Sequence, residues 1–229
     1  MQMRNLFLTA IGAVSSIVAT SSTADAAAWV PPNGTFGNYV YTGGQDSDGK
    51  FGTPTAFDPN NIQLEPLSFR ATSVGGTPAL TTDTLKVNIS TANQAKSIFD
   101  VRLTEIGDYT IDNGGGVKAF AGLFVRVLDA DWSFTQRVFT ADFTSIPGFP
   151  LNGTDGAGNW TGGVTVTLPA SARSISITIN NTLQAHSNPG GSALIQKKEV
   201  DITINTPEPA TLAAVFSGLG FAAIRRRKA

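Results

Sequence analysis

The sequence predicts an all-β protein, an antiparallel β-sandwich of jelly-roll-like design, with one apolar segment at each end. Three observations predict it. Apolar residues recur at period two through the body, the period of a strand with one buried face. Gly and Asn turn pairs interrupt these runs at short intervals. No window of a dozen residues in the body shows the spacing of an amphipathic helix. The chain has 229 residues; 1–26 and 207–229 read as targeting segments, which leaves 27–206 to fold as one domain.

The first residues carry Arg4, an apolar stretch from Leu6 to about Ala19, and a Ser/Thr segment ending in small residues. This is the layout of a secretory signal peptide, too short in its apolar part for the ~20 residues a membrane span needs. Cleavage is expected after Ala26, with Ala28 an equivalent site.

Within the body, Leu85, Val87 and Ile89 alternate with Lys86, Asn88 and Ser90, and Phe99, Val101 and Leu103 alternate with Asp100, Arg102 and Thr104. The same pattern recurs at Val164-Val166-Leu168, Ile175-Ile177-Ile179 and Val200-Ile202-Ile204. The runs 117–128 and 132–143 are apolar on both faces, which predicts central strands joined as a hairpin by Asp129-Ala130-Asp131. Turns are expected at Asn33-Gly34, Gly43-Gly44, Asp48-Gly49, Gly107-Asp108, Asn113-Gly114, Asn152-Gly153 and Asp155-Gly156, and a loop at 187–191. The total is about nine to eleven strands, and only 91–97 offers a helical turn.

The tail has three parts in order: Pro207-Glu208-Pro209, an apolar run from Ala210 to Ile224, and Arg225-Arg226-Arg227-Lys228. The prolines leave the preceding segment extended and open to a protease, while Pro209 suits the first turn of a helix. As a helix the apolar run is ~22 Å long against a ~30 Å hydrocarbon core, so it inserts only if the arginines snorkel. The positive-inside rule then holds the basic residues in the cytoplasm and the body outside.

This arrangement resembles the PEP-CTERM sorting signal of Gram-negative exported proteins. Pro207, Glu208 and Pro209 match its motif, and Arg225, Arg226 and Arg227 its arginine cluster. The resemblance covers about 23 of the 229 residues. It implies processing by an exosortase, an integral-membrane transpeptidase-like protease, after a transient stay in the inner membrane. The destination is then the cell envelope, cell surface or extracellular matrix. Segments 100–125 and 180–204 also resemble parts of the bodies of other such exported proteins, which implies a sandwich and no known catalytic residue.

Composition narrows the chemistry. The chain has no cysteine, a single histidine, a net charge of −1 and only 14% charged residues. A disulfide scaffold, a thiolate metal site, a thiol nucleophile and a multi-histidine metal site are excluded, and nucleic acid is not expected as a partner. A Ser/His/Asp set would have to use His186, and no Gly-x-Ser-x-Gly elbow occurs. The glutamates Glu65, Glu105 and Glu199 single out no pair for glycoside cleavage. No cofactor and no enzymatic activity are expected. Asp46 and Asp48 alternate ahead of Gly49 as calcium loops begin, but 44 is glycine and 55 is threonine, so the hand-type pattern fails and a loop-borne calcium site is a weak candidate. The body is expected to be structural or binding, with a carbohydrate-binding module as the alternative and a glycan-active enzyme behind it. For extracellular polysaccharide the candidate stacking residues are Trp160, Tyr39 and Tyr41; Trp132, alternating with Phe134, reads as core.

Overall fold

The computed structural model describes residues 26–93, 96–129, 138–144 and 155–206. The expected signal peptide before Ala26 and the expected sorting tail, including Pro207, Glu208, Pro209, Arg225, Arg226 and Arg227, lie outside the described residues, as do Trp132 and the expected turn Asn152-Gly153.

Among the described residues thirteen strands form: β1 (Ala27–Ala28), β2 (Gly34–Phe36), β3 (Tyr39–Asp46), β4 (Pro54–Asp58), β5 (Asn61–Leu64), β6 (Arg70–Val74), β7 (Ala79–Thr91), β8 (Ile98–Asp112), β9 (Gly115–Val127), β10 (Val138–Thr144), β11 (Gly156–Ala172), β12 (Ser174–Ser187) and β13 (Ser192–Asn205). They build two antiparallel sheets. The seven-stranded sheet runs β1-β3-β7-β12-β9-β10, with β2 also on β3; the six-stranded sheet runs β11-β8-β13-β5-β4, with β6 also on β13. From β6 onward the chain changes sheet at every connection but β9 to β10. That interleaving is the jelly-roll order, in which closing two sheets over one core leaves few free edges.

The period-two residues supply the core. Leu85, Val87 and Ile89 face inward from β7, Val101 and Leu103 from β8, Ile175, Ile177 and Ile179 from β12, and Val200, Ile202 and Ile204 from β13, all buried. The left-handed turn expected at Asn113-Gly114 forms, with φ of 56° and 78°. Together these residues carry the chain from one sheet to the other between β8 and β9.

Six expectations need correction. Gly43-Gly44 is not a turn but lies within β3, at a register shift between Thr42 and Gln45. Phe99 is 41% exposed while Ile98 is fully buried; a register irregularity against β11 between Thr167 and Ala172 changes the parity where β8 begins. Gly107-Asp108 is not a turn but mid-strand, opposite Trp160 and Lys197. Glycine is required there because a Cβ would meet Gln196 O at 2.1 Å and the Trp160 ring at 2.4 Å. The run 132–143 yields an edge strand, since β10 pairs with β9 and ends the sheet. Its first described pair is Val138 with Arg126, a register centred two residues beyond the middle of the expected tip at 129–131, of which 130 and 131 lie outside the described residues. Thirteen strands among the described residues replace the expected count, because stretches near the amino end without period-two apolar series still form short pieces such as β1 and β2.

Candidate functional site

The outer face of the seven-stranded sheet is built in rungs that cross β9, β12 and β7. Arg126 pairs with Ser176 and Ser176 with Asn88; Phe124 with Thr178 and Thr178 with Lys86; Gly122 with Asn180 and Asn180 with Thr84. The next rung places Phe120 opposite Thr182, and the last places Lys118 opposite Gln184. Residues of alternate parity point outward, so these side chains share one face. Gly122 leaves a gap between two half-buried phenylalanine rings, four residues or about 13 Å apart along the strand. A depression of about 470 Å³ lies among Lys86, Phe124, Arg126, Ser176, Thr178 and Asn180, and a second opens beside Lys118, Phe120, Thr182 and Gln184. Thr84 Oγ1 donates to Asn180 Oδ1 at 3.0 Å, fixing the amide at the centre of the face.

On its three inner strands, β7, β12 and β9, the charge of this face is one-signed, while Asp142 of the edge strand β10 pairs with Gly122 on the third rung. Its outward positions on β7, β9 and β12 carry Lys86, Lys118 and Arg126 and no carboxylate. On the opposite sheet the outward positions of β8 and β13 carry Asp100, Asp108, Asp112, Glu199 and Asp201 against Arg102 and Lys198. The inner strands of this near-neutral chain therefore differ in sign, cationic on β7, β9 and β12 and acidic on β8 and β13.

The aromatic residues expected to stack on sugar are not on any surface. Trp160 is 1% exposed, Tyr39 3% and Tyr41 2%. Trp160 packs over Gly107 and donates its Nε1–H to Gln196 O at 3.1 Å. Tyr39 donates its hydroxyl to Ile204 O at 3.1 Å, and Tyr41 stacks on Phe57 with centroids 4.8 Å apart. Burial pushes both tyrosine hydroxyls up from their ordinary values. The parity of β3 sends both tyrosines inward, and the missing side chain of Gly107 makes room for the indole. Surface stacking falls instead to Phe120 and Phe124, whose half-exposure the sequence signalled only through the two-faced apolarity of the run 117–128.

Asp46 and Asp48 serve the loop that follows β3. Asp46 is buried and accepts from Phe51 N at 2.8 Å and Gly52 N at 3.1 Å; burial holds its carboxyl above the usual range. Asp48 is exposed and pairs with Lys50. Among the described residues no group of three or more His, Cys, Asp or Glu could hold a metal ion. His186 is exposed near the end of β12. Glu65 and Glu199 come together beside Asp201, and partial burial with these neighbours raises the Glu199 carboxyl; Glu105 lies apart in the interior.

The interior holds a polar centre between the sheets. Glu105, Lys197 and Asn181 are 0%, 2% and 2% exposed. Lys197 Nζ donates to Glu105 Oε2 and to Asn181 Oδ1, the latter at 2.5 Å. Asn181 Nδ2 donates to Glu105 Oε1 at 2.5 Å. Phe69 and Phe51 wall the ammonium, with ring centroids 4.9 and 5.4 Å from Nζ. Asp83, next to Asn181 across β7 and β12, accepts from Ser47 Oγ, Asp48 N and Lys50 N, and so pins the loop that carries Phe51. Parity could have revealed this centre. Glu105 continues the inward series Val101-Leu103, Asn181 continues Ile175-Ile177-Ile179, and Lys197 continues Ala193-Ile195.

No family model matches the chain, and no curated protein matches it. The solved structures to which it is similar include three carbohydrate-binding modules. TmCBM61, in complex with beta-1,4-galactotriose, aligns at 9% identity over 73% of this chain and 93% of its own, TM-score 0.23. TmCBM27, described for mannan recognition, aligns at 12% identity over 74% of this chain and 86% of its own, TM-score 0.26. The family 11 module from Clostridium thermocellum, in complex with a beta-1,3-1,4-mixed-linked tetrasaccharide, aligns at 9% identity over 72% of this chain and 88% of its own, TM-score 0.20. Likeness at these scores carries no argument about ligand or activity, and the two-sheet architecture rests on the strand pairing itself.

Proposed function

We propose that the chain is an exported, non-catalytic polysaccharide-binding protein whose seven-stranded sheet holds an acidic glycan across its outer face. The observation that carries this reading is the rung pattern of the inner strands β7, β12 and β9: two half-exposed phenylalanine rings, a row of amides and hydroxyls, and three cations. Aromatic faces suit the C–H faces of sugar rings, amides and hydroxyls suit sugar hydroxyls, and Lys or Arg suits a uronate or sulfate group. The tripartite tail supports delivery by an exosortase to the envelope or extracellular matrix, where such polymers are found.

Affinity electrophoresis of the processed chain through gels containing acidic or neutral polysaccharide tests the ligand. Retardation by the acidic polymer, weakened about tenfold in Phe124→Ala, is expected; equal mobility in every gel would sink the reading. For export, mass spectrometry of protein recovered from the host should find the chain truncated from about Pro209 onward. Replacing Pro207, Glu208 and Pro209 by alanine should leave it on the inner membrane. Recovery of mature chains that retain Arg225–Lys228 would leave a permanent anchor instead.

A further inference from the structure

We propose that Lys197 and Asn181 become joined by an intramolecular isopeptide bond, with Glu105 as the group that moves the protons, so that the two sheets are tied covalently through the core. The inference is independent of what the outer face binds.

The reacting groups are already in place. Asn181 belongs to β12 in the seven-stranded sheet, whereas Lys197 and Glu105 belong to β13 and β8 in the six-stranded sheet. With Nζ 2.5 Å from Asn181 Oδ1 and a C=O bond of about 1.23 Å, the carboxamide carbon is at most about 3.7 Å from the amine, near the ~3–3.5 Å of a near-attack arrangement. Both 2.5 Å contacts within the triad are tighter than the roughly 2.7–3.2 Å of ordinary N–H···O bonds. Either orientation of the amide leaves its carbon beside the amine.

The step balances without any co-reactant. Glu105 takes a proton from the Lys197 ammonium, and the neutral amine adds to Asn181 Cγ. Glu105 passes that proton to the amide nitrogen it already touches, Nδ2, and accepts the second proton from Nζ. The C–Nδ2 bond breaks as the carbonyl re-forms, and ammonia leaves. A new Cγ–Nζ amide replaces the old one, nothing is oxidised or reduced, and an ammonium–carboxylate pair becomes a neutral amide and a neutral carboxylic acid.

The surroundings favour that direction. Removing two charges from water into a core carries a desolvation penalty that their mutual attraction need not recover, and the reaction discharges both. Burial lowers the Lys197 ammonium to about 8 against the opposing pull of Glu105 and Asp83, which brings the free amine within reach near neutral pH. Phe51, Phe69 and Trp160 are buried around this part of β8 and β13 and keep out the water that would compete as nucleophile. The chain has no cysteine, and exported proteins commonly gain covalent restraint from disulfides; an amide cross-link gives that restraint without redox chemistry.

The test uses the chain as recovered from its host. Residues 174–197 lie between Arg173 and Lys197 with no other tryptic site, so one peptide contains both partners. If the bond forms, trypsin fails to cut after Lys197. The peptide extends to Lys198 and is lighter by one ammonia, and cleavage after Leu183 and Leu194 leaves the two pieces joined. Full mass with cutting at Lys197 would overturn the proposal. So would loss of ammonia with separable pieces, which marks a succinimide at Asn181. Glu105→Gln should give a chain of full mass whose pieces separate; if it is linked as completely as the wild type, Glu105 has no role in proton transfer. Should that variant not fold, the wild-type digest still decides whether the bond exists.

Discussion

Asn180 and Asn181 are adjacent on β12, and the pleat sends them to opposite sides of the sheet. Asn180 is exposed at the centre of the cationic outer face; Asn181 is buried between Lys197 and Glu105. Lys197 and Lys198 repeat the contrast on β13, the first buried and the second 58% exposed and paired with Asp108. Identical side chains thus serve two purposes according to parity alone. Outside, a polar group stays solvated and adaptable, contributes little to stability and is free to meet a ligand. Inside, every polar atom must find a partner, because an unpaired buried group costs far more than an exposed one.

The two lysines give the largest expected difference. Lys197→Ala leaves the Glu105 carboxylate buried without its counter-charge and should cost about 3–5 kcal/mol in urea unfolding. Lys198→Ala removes only a surface pair and should stay within about 1 kcal/mol. Equal effects would mean that parity does not set the difference. Asp83→Ala comes next. It strands the Ser47 hydroxyl and the amides of Asp48 and Lys50, and a loss of about 2 kcal/mol is expected, since the loop is partly solvated. The comparison sharpens if amides 46–52 then exchange faster while those of β12 keep their protection. The outer face should respond in affinity and not in stability. Lys86→Glu with Arg126→Glu should weaken binding of an acidic polysaccharide more than tenfold, about 1.4 kcal/mol, with unfolding midpoints unchanged; a large midpoint shift would show that these cations hold the sheet.

How far the sequence carried this reading depended on the same parity. Period two identified β7, β8, β11, β12 and β13, because their apolar series are long and regular. It failed at Phe99, where a strand irregularity inverts the faces. It also failed for Trp160, because packing of a ring on a glycine strand is invisible until the partner strand is known. Tyr39 and Tyr41 are open to the same argument that places Leu85 inside, although as candidate stacking residues they are expected on a surface; each hydroxyl instead reaches a backbone carbonyl. Lys197, Glu105 and Asn181 each sit in phase with buried neighbours, but a single polar residue in an inward position says nothing until three of them meet, which is a property of the jelly-roll crossing and not of any one strand.

The smallest expected effect separates a bonded from an unbonded polar centre. A free Lys197 has a folded value of about 8, below its value in the unfolded chain of about 10.4. Between these the unfolded chain binds more protons than the folded one, so stability rises with pH through that window, and the contribution is absent below it. Asn181→Ala removes the carbon that the amine would attack and keeps the lysine titratable. Its unfolding free energy should climb by about 1 kcal/mol per pH unit from about pH 8 to 9.5, below the range where the raised tyrosines begin to matter. In the wild type the isopeptide nitrogen no longer titrates, and over the same range that rise should be absent. Parallel slopes in the two proteins would mean that Lys197 is a free amine in both, and the interior would then be held by an ion pair alone.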